Sequence, residues 1–158
     1  MRVDVCKEKK PDISASTVLL IRDGAVGLEV FMVVRHHEIA SFSGALVFPG
    51  GKVDPSDAHA RPFCSGGEDL DEMALSHRVA AVREAFEESG VLLARNKDGD
   101  ELINAVQLEG IEARWRADLA ASATTIADVC HNEGIVLALD KMVNYAHWIT
   151  PRVVPKVY

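Results

Sequence analysis

Apolar residues are spaced in two ways along the chain. Residues 14–22 (SASTVLLIR) and 28–35 (LEVFMVVR) are short runs dense in β-branched and aliphatic side chains. They read as two buried strands of a hairpin, with Asp23-Gly24 as the turn dipeptide. A shorter run, 45–49 (ALVFP), predicts a third strand leading into Gly50-Gly51. The spacing changes at residues 71–90. There Leu75, Val79, Val82 and Phe86 fall within an arc of about 60° at the helical repeat. This predicts a helix from Asp71 or Glu72 to Ser89, closed by Gly90 in a left-handed cap. Val91–Ala94 reads as a strand, Asn96–Asp100 as a turn, and 107–121 and 123–133 as two further helices. After Gly134 comes an apolar run, IVLAL. Alternating strands and helices imply an α/β or α+β fold.

Between these elements, residues 54–71 (DPSDAHARPFCSGGEDLD) mix two prolines, two glycines and small polar side chains. They predict an inserted, mobile loop. Residues 1–13 read as a flexible lead-in, and 14–158 as one domain, the usual size for 158 residues. Tyr145–Thr150 with Pro151 ends the last structured region, and Val153–Tyr158 resembles a strand that does not develop.

Composition narrows the possible functions. The chain is 48% hydrophobic and 26% charged, with 24 acidic against 17 basic residues and a net charge of −7. That balance argues against nonspecific binding to nucleic-acid phosphates. No stretch is apolar enough to span a membrane, no secretory leader is evident, and the three cysteines suggest neither a disulfide scaffold nor a zinc knuckle. Cytoplasm is the expected compartment.

On the side of the predicted helix away from its apolar stripe, Glu84, Glu87 and Glu88 converge within about 100°. Ala80 and Ala81 leave that patch free of bulk. Like charges at this spacing repel by a few tenths of a kcal/mol per pair. Spacing alone therefore fits either a solvated acidic face or an oxygen-rich site for a hard cation such as Mg²⁺, Mn²⁺ or Ca²⁺.

The surrounding residues favour the site. Arg83-Glu84-Ala85-Phe86-Glu87-Glu88-Ser89-Gly90-Val91 resembles the R-E-U-x-E-E-x-G-U half of the Nudix box, where U is apolar. Its five fixed positions arise by chance about once per million windows. The box normally opens with a glycine fourteen residues before the arginine and a glutamate six after that glycine. Here Asp69 and Leu75 occupy those places. Gly51 ends Phe48-Pro49-Gly50-Gly51, has Asp57 six residues on, and lies 32 residues before Arg83. An insertion of about eighteen residues accounts for the difference. Asp57 is open to two readings, a substitute for the box's first glutamate or a turn former. The chain resembles the Nudix branch with an inserted box that includes a peroxisomal coenzyme A diphosphatase. Ser43-Gly44-Ala45, Ala80-Ala81-Val82 and His147-Trp148-Ile149-Thr150-Pro151 add to that likeness.

The resemblance implies an α/β/α sandwich with a mixed sheet, lacking C-terminal elements that longer members carry after the Trp-Ile-Thr-Pro stretch. It also implies an enzyme in which water attacks the pyrophosphate of a nucleoside diphosphate derivative. Glu84, Glu87 and Glu88, with the Gly51 carbonyl, would be the metal ligands for Mg²⁺ or Mn²⁺. One of these carboxylates, or another from a later loop, would be the general base. Arg83 would pair with a glutamate, Glu87 at i+4 being the expected partner. The expected partner molecule is a small nucleoside diphosphate derivative, coenzyme A-like first, with ADP-ribose, NADH or a nucleoside triphosphate as alternatives. Neither nucleic acid nor membrane is expected, and oligomeric state is open. A binding module without hydrolysis is the rival reading. His36 and His37 read as exposed, His147 and Trp148 as packing residues, and Cys130-His131 as structural.

Overall fold

The computed structural model describes residues 13–34 and 44–149. His36, His37, Ser43, most of the lead-in and everything from Thr150 onward lie outside those residues. The chain folds around one long helix, α1 (Glu72–Ser89). The Asp71 side chain accepts the Ala74 N–H at 2.7 Å to start it, and Gly90 ends it at φ 74°, a left-handed conformation that costs glycine little. The predicted boundaries hold. Leu75, Val79, Val82 and Phe86 are all buried, as their spacing requires.

Their core continues through α2 (Ala105–Ala120), α3 (Ile126–Glu133) and a three-stranded mixed sheet of β7 (Cys64–Ser65), β8 (Ala94–Asn96) and β9 (Ile135–Ala138). β9 is central. Leu137 pairs with Cys64 in parallel and with Ala94 in antiparallel register. α2 starts two residues earlier than predicted, capped by Asn104, whereas α3 starts later, at a capping box of Thr125 and Asp128. The IVLAL run is β9, and the strand expected at 91–94 begins only at Ala94, where pairing with β9 starts. Among the described residues no helix is long and apolar enough to cross a membrane.

The N-terminal prediction needs correcting. The expected strand at 14–22 is two, β1 (Ala15–Thr17) and β2 (Ile21–Gly24), and that at 28–35 is β3 (Gly27–Val30) and β4 (Val33–Val34). β2 and β3 form the hairpin, but Asp23 and Gly24 are strand residues and the turn is Ala25-Val26. β4 pairs with β5 (Leu46–Val47), and β1 with β6 (Gly50–Lys52). These strands are not buried as their composition suggests. Among the described residues, none before Pro49 is buried.

The expected mobile loop also needs correcting. Pro55–Phe63 is a 3₁₀ helix capped by Asp54, and β7 follows it directly. Its Ala60 and Asp57 are fully buried, which ties the segment into the core. His147 and Trp148 depart from expectation in the other direction. No regular element forms at 142–149, and Trp148 is 79% exposed.

Candidate active site on the central helix

The charged face of α1 is covered over most of its length, with Glu88 at its exposed end. His77, Ala81, Glu84 and Glu88 succeed one another along it at helical spacing and meet the β1–β6 pair. Ser16 Oγ lies 2.9 Å from His77 Nδ1, and Ala80 and Ala81 are buried between the ends of that contact line. The two alanines are thus covered and do not leave an open patch.

Three successive residues of β6 meet the motif. The Gly50 N–H donates to Glu88 Oε2 at 3.0 Å, and the Lys52 carbonyl accepts from Arg83 Nη2 at 2.8 Å. Between them, a Cβ on Gly51 would fall on the Glu84 carboxylate, so a glycine here leaves that carboxylate its place against the strand.

Arg83 is the hub. Its Nε and Nη2 donate to the two oxygens of Asp57 at 2.8 and 3.1 Å, the bidentate geometry of a strong guanidinium–carboxylate pair. Its Nη1 donates to Glu84 Oε1 at 2.9 Å and to Glu87 Oε1 at 3.0 Å. With Lys52, all five N–H donors are used. Side-chain exposure is 0% for Asp57, 10% for Arg83, 14% for Glu84 and 16% for Glu87, which rules out a solvated acidic face for these groups. Burial would lower the Arg83 pKa, but Asp57, Glu87 and Glu84 outweigh it and the group is held firmly charged. Burial pushes the Glu87 carboxyl up. Arg83 opposes that rise, and the charges of Glu84 and Asp57 add to it.

Behind Arg83 and Glu87 a polar cleft of about 250 Å³ opens, walled by Asp54, Ser56, Leu119, Ser122, Thr124 and Thr125. A family model of the NUDT19 Nudix domain matches residues 65–157, more than half of the chain. The chain belongs to that Nudix family.

This Nudix domain is 21% identical over 159 residues to the acyl-coenzyme A diphosphatase NUDT19 of Xenopus laevis, covering 78% of the chain and 42% of the relative. It is 30% identical over 83 residues to a probable nudix hydrolase of Schizosaccharomyces pombe, covering 52% and 23%. The crystal structure of a NUDIX hydrolase from Alicyclobacillus acidocaldarius superimposes with a TM-score of 0.65 at 28% identity, covering 93% of this chain and 66% of the other. The chain therefore has the Nudix α/β fold, and it spans less than half the length of these curated relatives.

Of the residues singled out from sequence, Gly51, Arg83, Glu84, Glu87 and Glu88 come together in this Nudix domain. Arg83 pairs with Glu87 as expected, and with Glu84 and Asp57 as well. Asp57 does form the turn, its Oδ2 accepting the Asp54 N–H at 2.8 Å in the capping box of the 3₁₀ helix, but it does so buried and while paired with Arg83. Its position six residues after Gly51 was the available signal. The backbone contacts of Gly50 and Lys52 left no trace in side-chain chemistry. Among the described residues, no three acidic, histidine or cysteine groups are gathered closely enough to enclose a cation. The donors present, carboxylates beside the backbone of β6, are nevertheless the hard oxygens that Mg²⁺ or Mn²⁺ takes.

Proposed function

We propose that this Nudix domain carries the active site of a metal-dependent hydrolase that cleaves the pyrophosphate of a nucleoside diphosphate derivative, a coenzyme A thioester or coenzyme A itself being the favoured substrate. The observation that carries the reading is the packing of Glu84 and Glu88 against Gly50-Gly51, with Arg83 fixing the neighbouring carboxylates. The substrate assignment rests on the name of the Xenopus laevis relative, an acyl-coenzyme A diphosphatase. Glu84, Glu87, Glu88 and the Gly51 carbonyl are the groups that would hold Mg²⁺ or Mn²⁺. Such a cation neutralises phosphate charge and makes a nearby water more acidic. The chain's own contribution is orientation. Arg83 holds Oε1 of both Glu84 and Glu87, and the Gly50 N–H holds Oε2 of Glu88.

A second reading, nucleotide binding without hydrolysis, draws support from the engagement of two of the three carboxylates by Arg83. One experiment separates the two. The protein is incubated with coenzyme A, an acyl-coenzyme A, ADP-ribose and NADH in Mg²⁺ or Mn²⁺, and monophosphate products are followed by chromatography. The enzyme reading expects adenosine 3′,5′-bisphosphate and the phosphopantetheine half from the coenzyme A compounds. Binding of these compounds by folded protein with no product from any of them supports the module instead.

A further inference from the structure

The last turn of α1 is electrostatically awkward. The final four carbonyls of a helix have no partner within it, and the negative end of the helix dipole favours cations there. Yet α1 has no basic residue in its last turn, and Glu87 and Glu88 sit within it. The Gly90 N–H caps Phe86 at 2.9 Å, which leaves the Glu87 carbonyl next in line. Arg116, on α2, fills that place. Its Nε donates to the Glu87 carbonyl at 3.0 Å, while its Nη1 is bonded to Glu112 one turn earlier. Glu112 in turn lies against Gly90, where an added Cβ would come within 2.7 Å of its Oε1. A neighbouring helix thus supplies both the missing cation and the missing donor at the end of α1 that carries two of the motif's glutamates.

We propose that Arg116 is a positioning residue for the cation site. By holding the Glu87 carbonyl, it keeps the last turn of α1 from fraying and so keeps Glu87 and Glu88 on one side of the helix. This rests on the reading of Glu84, Glu87 and Glu88 as metal ligands. Arg116 touches neither substrate nor metal.

The test is Mn²⁺ affinity, read from the electron paramagnetic resonance signal of free Mn²⁺, at a temperature where every variant is folded. Arg116→Met is expected to weaken binding about tenfold, the usual scale for residues that orient ligands. Arg116→Lys, which keeps a cation and a donor, is expected to recover most of it. Should Arg116→Met not fold, Arg116→Gln, which keeps a donor and loses the charge, takes its place with at least threefold weakening expected. Wild-type binding that is lost in Glu84→Gln but changes less than twofold in the Arg116 variant overturns this inference and leaves the metal site standing. Equal binding by the wild type and Glu84→Gln overturns the metal site, and the role of Arg116 with it.

Discussion

One side of α1 buries Leu75, Val79, Val82 and Phe86 in the core. The other sets His77, Glu84 and Glu88 against β1 and β6, with Arg83 and Glu87 at its border. The apolar side is held by burial, which has no preferred direction and scales with area. The charged side is held by contacts that each need a particular atom in a particular place: a backbone N–H, a backbone carbonyl, a glycine without a Cβ and a bidentate aspartate. The first side therefore sets whether the chain folds. The second sets where the oxygens of the carboxylates lie.

Substitutions should separate the two sides cleanly. Glu88→Gln, isosteric and on the exposed side of the motif, is expected to lower the proposed diphosphatase activity about a hundredfold or more while the melting temperature stays close to wild type. An unchanged rate in a coupled assay removes Glu88 from the site. Phe86→Ala acts on the opposite side. It should lower unfolding free energy by about 3–5 kcal/mol in urea titrations. Activity per folded molecule should hold, since no charged contact is touched. Asp57→Ala joins both sides and should affect both. Removing one partner of a buried ion pair costs about 3–5 kcal/mol. Glu84 and Glu87 still face Arg83, so the low end is expected, together with a fall in activity as Arg83 loses its anchor. Stability lost without any change in rate would show that Asp57 serves only the fold.

The smallest effect concerns pH and belongs to the core alone. Burial pushes the Cys130 thiol from 9.0 up to about 12. Unfolding at pH between those values releases a proton that the folded protein retains, so stability falls as pH rises through that range. In Cys130→Ala, unfolding curves collected from pH 8 to 11 should show a shallower decline than in wild type.

How much of this was legible in the sequence follows the same division. α1 was readable nearly to the residue, because its stripe, its Asp71 cap and its terminal Gly90 all agree locally. The glutamates were readable because one helix carries them all. Of the strands only the local β2–β3 hairpin was readable, since the others from β1 to β7 are two or three residues long and owe their limits to partners further along the chain. Their apolar side chains suggested burial, but the core lies after Pro49. The 3₁₀ helix at 55–63 was hidden by its composition. Pro55 sits in its first turn, where a proline fits, and its order comes from Asp57 finding Arg83, which no local pattern announces. Trp148 misled in the opposite sense, as a large aromatic side chain that the described residues leave uncovered.

That same pairing bears on chain entropy. Asp57 and Arg83 are 26 residues apart, about eighteen more than in an uninterrupted box. Closing the longer loop raises the entropic penalty only logarithmically, by about 1 kcal/mol. A buried bidentate ion pair at the ends of the added segment, with a 3₁₀ helix and a short parallel strand along it, readily offsets that sum. A sequence motif can thus be stretched along the polymer while remaining compact in space, provided its two ends still meet at the same guanidinium.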